Sequence, residues 1–214
     1  MLKANFITAQ EAAEKIQDGS ILCTIGMTLV SASESILKAI EKRFETVGHP
    51  ADITLVHSCG QSDRKDGIQH LAHEGLVKRI VGSHWGLQPR WMEMIANSQV
   101  EAYCLPQGQI AQLYRSMACG LPGKMSKVGL GTFIDPRVEG GKMNDRTKPL
   151  PDLVDILEYG GEEYMFYKEI PLDTVLIRGT VCDEMGNLTT TEEAMKLEVL
   201  PAVLAAKRYG GRVI

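Results

Sequence analysis

The sequence predicts an α/β domain: an open, mainly parallel sheet with helices on both faces and one β-hairpin excursion. Three observations predict it. Short apolar runs alternate with amphipathic stretches from residue 8 to residue 136, the pattern of a parallel sheet covered on both sides. Beyond residue 137 two strand-like runs flank Gly160 and Gly161, as in a hairpin. Hydrophobic residues make up 44% of the 214 and charged residues 23%, enough apolar material for a real core.

The elements follow in order. Thr8 and Glu11 have the T-x-x-E spacing of a capping box, in which each side chain satisfies the other's free backbone donor. The helix they open should stop near Asp18 and Gly19. Residues 21–24 (ILCT) form a short buried-strand candidate, followed by a loop through Gly26. Ser31 and Glu34 repeat the capping spacing before a helix whose apolar side is Ile36, Leu37, Ile40 and Phe44. Residues 53–57 (ITLVH) and 79–81 (RIV) are the next strands. Pro89 opens the following helix, since its missing donor costs nothing there. VEAYCL (100–105) is a strand, and Ile110, Leu113 and Tyr114 mark the helix after it. VGLGTF (128–133) reads as a further strand. LVDILEY and EEYMFYKE form the hairpin, DTVLIRG a strand, and residues 192–208 a helix. The final GGRVI looks like the opening of another strand.

Composition excludes several classes. The net charge is −4 without a basic run, so the positive face that displaces counterions from nucleic acid is missing. The five cysteines, Cys23, Cys59, Cys104, Cys119 and Cys182, are widely spaced and form no CxxC pair. Neither a disulfide framework nor a zinc site is expected, and a reduced, cytoplasmic protein is. No window has the apolar length of a membrane span.

In a parallel sheet, ligands bind at the carboxyl ends of the strands, so chemistry is sought in those loops. TIGMTLVS (24–31) lies between a strand and a helix, where an anion would suit a helix amino terminus. It has one glycine and no nucleotide-binding spacing. His70, His73 and Glu74 in HLAHEG lack the HExxH order and a visible third ligand, so no metal is expected there. Cys59 in VHSCGQSD would be a nucleophile only with a basic partner to lower its pKa. That loop and GSHWG (82–86) read better as ligand-lining segments. PQG (106–108) ends a strand; its glutamine is either part of a common turn or a fixed amide donor to a developing oxyanion. Glu139 in VEGG is read as a solvent-loop residue.

Taken together, TLVHSCGQ, HLAHEGLVKRIVGSHWG, AYCLPQG, VGLGTFIDPRVEGGKMNDRT and EYMFYKEIPLDTVLIRGT, in this order, resemble the amino-terminal half of family I coenzyme A transferases. The likeness is greatest to the single-chain propionate and acetate CoA-transferase branch. The resemblance implies two similar open α/β halves with the active site between them, and a homo-oligomer at full length. It implies a ping-pong exchange of CoA between a short acyl-CoA and a small carboxylate such as acetate or propionate. A glutamate of the second half becomes a covalent glutamyl-CoA thioester, and covalent relay divides one hard exchange into easier steps. No permanent cofactor is implied; coenzyme A is substrate.

By this resemblance Gln107 is the first-half oxyanion donor. Gly108 lies beside it, Gly26 falls on the family's glycine-rich loop, and Ser58, Cys59 and Gly60 fall on its polar substrate loop. Residues 1–214 are then one amino-terminal domain. The parent is expected to be more than twice as long, with the catalytic glutamate in the missing carboxy-terminal half, and this chain alone is expected to be inactive. The alternatives share the sheet: a non-catalytic sensor of a sugar phosphate, which would need a basic phosphate cluster that this sequence lacks, or of an acyl-CoA; and an acyl-CoA hydrolase, in which water resolves the intermediate.

Overall fold

The computed structural model describes residues 3–214. In chain order the elements are α1 (Ala9–Glu14), β1 (Ile21–Thr24), α2 (Glu34–Val47), β2 (Ile53–Val56), a 3-10 turn (Gly67–Leu71), β3 (Val77–Gly82), α3 (Pro89–Ala96), β4 (Glu101–Cys104) and α4 (Gln107–Ala118). They continue with β5 (Gly123–Ser126), β6 (Val154–Tyr159), β7 (Glu162–Lys168), β8 (Thr174–Leu176), β9 (Val181–Cys182), β10 (Leu188–Thr189), α5 (Val199–Arg208) and β11 (Arg212–Val213).

Six strands form the main sheet in the order β11-β8-β1-β2-β3-β4, and every pairing in it is parallel. The expected architecture is therefore present. Successive side chains of a strand point to opposite faces, and the cores follow that alternation. Leu22, Leu55, Ile80, Ala102 and Leu176 face one core, built with Ala13, Leu37, Ile40 and Trp91 from α1, α2 and α3. Their neighbours Cys23, Val56, Val81, Tyr103 and Val175 face the other, built with Ile110, Leu113, Tyr114, Ala202 and Ala205 from α4 and α5. Both faces are buried, so the strands read as apolar runs instead of half-polar alternations.

The hairpin is β6 and β7, turning at Gly160 and Gly161 and joined by β5 in a three-stranded antiparallel sheet. The Thr8 capping box is formed, with both reciprocal bonds present. Three local expectations are corrected. Residues 128–133 are a chain of turns, with Gly129 and Gly131 at positive φ, because Thr132 Oγ1 donates back to the Gly129 carbonyl and the Asp135 carboxylate captures the Gly131 amide. Ser31 caps nothing: it sits at positive φ and donates to the Met195 carbonyl, while Glu34 accepts from the Gly67 amide. Helix α2 starts instead after Ser33, without a side-chain cap. The last helix begins at residue 199, not 192, because Leu197 adopts a left-handed φ.

A strap of irregular chain runs along the outer side of β4. The Met143 amide donates to the Ala102 carbonyl and the Cys104 amide to the Gly141 carbonyl. Gly141 has φ +70°, and a Cβ there would stand 2.6 Å from the Cys104 carbonyl oxygen, so this close approach requires glycine. Buried Asn144 pins the strap. Its amide nitrogen donates to the carbonyls of Ile95 and Val100, both at 2.9 Å, and its oxygen accepts from the Thr147 amide and hydroxyl. The Thr147 hydroxyl in turn accepts from the Ala102 amide at 2.7 Å.

Asn144→Ala would leave two buried carbonyls and the Thr147 donors unpaired, each unmade bond costing about 1–3 kcal/mol. Guanidinium unfolding should show a loss of about 2–4 kcal/mol at unchanged m. A change within about 0.5 kcal/mol, the range of ordinary surface substitutions, would show that Asn144 does not hold the strap.

Candidate functional site

The strand order reverses between β1 and β8, and in such sheets the crevice forms at the carboxyl ends beside that point. The loop through Gly26 leaves β1 there. Two bonds fasten it to the loop after β2: the Thr28 amide donates to the Gly60 carbonyl at 2.8 Å, and the Gln61 side-chain nitrogen donates to the Thr24 carbonyl at 2.8 Å. A Cβ on buried Gly26 would approach the Val30 carbonyl at 3.2 Å and the Gln61 side chain at 3.3 Å, so the loop is closely packed.

The β2 loop is braced from the next strand. The Ser83 hydroxyl donates to the Ser58 carbonyl. The His84 ring lies over Gly60, whose Cβ would stand 2.6 Å from His84 Nδ1; any side chain at position 60 would displace that imidazole. In the orientation that satisfies both neighbours, the Gln88 amide accepts from the Gln61 backbone amide at 2.8 Å and donates to the His84 carbonyl at 3.1 Å.

Behind the loop, His57 is fully buried, and its Nδ1 lies 2.8 Å from the Cys59 carbonyl. A carbonyl only accepts, so Nδ1 carries the proton. Burial, which disfavours the charged ring, lowers the His57 pKa to about 4. His57 thus bonds the backbone of Cys59, not its thiol. The thiol's pKa is raised, by burial first and also by the Glu198 carboxylate. A Cys59–His57 nucleophilic pair is therefore not formed.

Gln107 is the first residue of α4, immediately after β4 and Pro106, and it is exposed. Its side chain stands close enough to the Cys59 thiol to draw that pKa partly back. Cys59, Ser83, His84, Cys104, Leu105, Pro106, Gln107, Phe133 and Ile134 line one cleft of about 480 Å³. A side-chain amide at the positive end of a 12-residue helix suits an oxygen that gains negative charge. Of the residues and loops marked in the sequence, Gln107, Cys59 and, from GSHWG, Ser83 and His84 share this cleft. Ser58 is fully buried, and Gly26 and Gly60 are buried beside it, so these three shape the loops under the cleft. Gly108 is exposed, with open space where a Cβ would point.

Cys104 and Phe133 were not legible as cleft residues: Phe133 comes from the turns that cover β4, far from any strand end. Glu139 is exposed and lies outside the cleft.

The two histidines of HLAHEG have partners that the sequence reading missed. His70 Nε2 lies 2.9 Å from Glu34 and 3.3 Å from Asp66, and its Nδ1 meets Glu41. His73 Nε2 lies 2.8 Å from Glu41. Two cations already occupy the same cluster: Lys38 at 3.0 Å from both Glu34 and Asp66, and Arg90 at 3.2 Å from Glu41. Glu34, Lys38 and Glu41 recur at helical spacing on α2, the signal that could have revealed them. Carboxylates at both ring nitrogens favour the imidazolium form of His70. Burial pulls its pKa down, but Glu41 and Glu34 outweigh burial and the net shift is upward.

Residues 6–209 match the family described as "Coenzyme A transferase". The chain belongs to this family. It is 43% identical over 212 residues to the caffeate CoA-transferase of Acetobacterium woodii, covering 99% of this chain and 40% of that protein. It is 37% identical to the acetate CoA-transferase YdiF of Escherichia coli K12, over 97% of this chain and 39% of the relative. A crystal structure of YdiF from E. coli O157:H7, described as a thioester complex with CoA, superposes with a TM-score of 0.92 at 34% identity, over 97% of this chain and 42% of that one. The chain thus spans about two-fifths of the length of these relatives.

The two perturbed histidines act on stability in opposite directions. His70, with its pKa raised, contributes stability that is complete below the ordinary value of about 6.5 and is lost as pH rises through the raised one. His57, with its pKa depressed, costs stability as pH falls below about 6.5, since only the unfolded chain then takes up that proton. His70→Gln should flatten the alkaline limb of a stability–pH profile and leave the acid limb in place. An unchanged slope above pH 6.5 would contradict the ion-pair assignment.

Proposed function

We propose that this chain is the amino-terminal, oxyanion-stabilising domain of an enzyme that transfers coenzyme A between an acyl-CoA and a carboxylic acid. The observation that carries this reading is the placement of Gln107: an exposed amide at the amino terminus of α4, in a cleft at the carboxyl edge of the sheet, in a chain of the coenzyme A transferase family.

The chemistry proposed is a ping-pong relay. A glutamate carboxylate attacks the thioester carbonyl and expels CoA as thiolate, leaving an acyl–glutamyl anhydride. The thiolate then attacks the glutamyl carbonyl, releasing the first acid and forming a glutamyl-CoA thioester; the second acid reverses both steps. At each attack a carbonyl oxygen becomes an oxyanion. The Gln107 amide donates a hydrogen bond to it without adding a charge, and the end of α4 adds a favourable dipole.

The attacking glutamate lies outside residues 1–214 in this proposal, and the opposite wall of the cleft belongs with it. Cys59 lines the near wall, Gly26, Ser58 and Gly60 support it from beneath, and Gly108 leaves open space beside Gln107. The acids expected from the sequence, acetate and propionate, are short-chain carboxylic acids. Oligomerisation at full length and action in the cytoplasm belong to the same proposal; no helix among the described residues is long and apolar enough to cross a membrane.

Gln107→Ala in the full-length enzyme should lower kcat by about 10²–10³-fold, the usual cost of one oxyanion donor, while KM for the CoA ester changes little. Unchanged turnover would remove Gln107 from this role. The 214-residue chain by itself should show no acyl-CoA:acetate exchange, and measurable exchange would place the nucleophile within it.

A further inference from the structure

The proposed relay moves no proton: each attacking group is an anion, and so is each group expelled. The imidazole of His84, which lines the cleft, is therefore a titratable group with no part in it. Of the five histidines, four have ring partners among the described residues. His49 pairs with Asp18, His57 with the Cys59 carbonyl, His70 with Glu34, Glu41 and Asp66, and His73 with Glu41. The His84 side chain is exposed, and no hydrogen bond or ion pair joins its ring to any described residue. It is nevertheless firmly seated. A Cβ on Gly60 would stand 2.6 Å from His84 Nδ1, and one on Gly86 would stand 2.9 Å from Nε2. A glycine on each side thus makes room for the ring. The backbone is fixed too: fully buried Gln88 donates to the His84 carbonyl at 3.1 Å, and the Ser83 hydroxyl donates to the Ser58 carbonyl. A ring held in place with both nitrogens unused is arranged as a ligand contact.

The chemistry of the cleft indicates which ligand. No lysine or arginine lines it, whereas an imidazole keeps at least one N–H donor whether neutral or protonated. A carboxylate only accepts hydrogen bonds. The acid that resolves an enzyme–CoA thioester must bring one oxygen to about 3–3.5 Å from the carbonyl carbon. That carbon adjoins the oxygen assigned to Gln107, and His84 shares the Gln107 cleft. A lysine or arginine would also stabilise the attacking carboxylate before the reaction, and ground-state stabilisation of that kind does not speed the chemical step. A single imidazole N–H orients the acid with less of that penalty.

We infer that His84 binds the carboxylate of the free acid beside the Gln107 amide. This rests on the reading of Gln107 as the oxyanion donor and of the reaction as a relay through an enzyme–CoA thioester. One carboxylate oxygen accepts from the imidazole N–H. The other attacks the glutamyl carbonyl carbon, a C–O bond forms, the C–S bond breaks, and CoA leaves as thiolate. The departing acid of the first half-reaction meets the same donor in reverse. His84 acts on the substrate's carboxylate, and the oxyanion remains with Gln107.

The test uses the full-length enzyme, loaded from an acyl-CoA and freed of the released acid, so that it carries the enzyme–CoA thioester. Decay of that thioester is followed against rising acid, over a panel from acetate to benzoate. His84→Phe keeps a flat ring between the two glycines but has no N–H. It should raise the half-saturating acid concentration about 10–100-fold, the usual worth of one hydrogen bond to a charged group. Slow decay in water without acid should stay as in the wild type, a readout that a damaged oxyanion hole or fold would move. His84→Gln retains an N–H donor and should recover most of the loss. An unchanged half-saturating concentration in His84→Phe, or an equal fall in decay with and without acid, would overturn the assignment and leave the transferase reading intact. Failure of the wild type to form an enzyme–CoA thioester from the CoA ester of any acid in the panel would instead bring down the transferase reading, and this inference with it.

Discussion

Two hydrogen bonds between the first two strand-end loops hold the candidate site in shape. The Thr28 amide reaches the Gly60 carbonyl and the Gln61 side chain reaches the Thr24 carbonyl. Through them the β1 and β2 loops become one surface. That surface is braced from β3 by Ser83, and by the His84 ring seated over Gly60. Only when these loops are fixed does the Cys59 thiol stand beside Gln107 at the end of β4. The strand order brings the loops to one edge, but these side-chain bonds set their positions there, and a first shell needs such support.

The sheet was readable because its strands are buried on both faces, so ILCT, ITLVH and VEAYCL stand out as apolar runs between helical segments. The errors came where side chains redirect the backbone. Asp135 and Thr132 fold VGLGTF into turns by capturing the amides and carbonyls a strand would use. Ser31 and Glu34 have a capping spacing, yet each finds a better partner elsewhere, in Met195 and Gly67. The cleft was partly legible: PQG and SCG lie at strand ends, where loops converge. Phe133 was hidden, since its arrival at the cleft depends on the strap along β4, a long-range packing event with no local sequence signature.

No lysine, arginine, aspartate or glutamate lines this cleft, although the Glu198 carboxylate acts on the Cys59 thiol from nearby. The ion-pair cluster of Glu34, Lys38, Glu41, Asp66, His70 and Arg90 ties α2 to the 3-10 turn and α3. The cleft retains neutral thiols, an amide and apolar walls. The wall thus offers an amide and a helix dipole in place of a lysine or arginine. Partly buried ion pairs are costly to break and modest in net worth, which fits a bracing role for the cluster on α2.

The strap along β4 has a further consequence for the chain's behaviour in solution. A sheet's outermost strand normally presents a row of unpaired amides and carbonyls on which another chain can template itself. Here the groups of β4 are already taken by residues 141–147. The sheet is thus closed to lateral growth on the β4 flank. This protects an apolar, parallel and slow-folding architecture from cross-β association without spending charged residues on the margin strand.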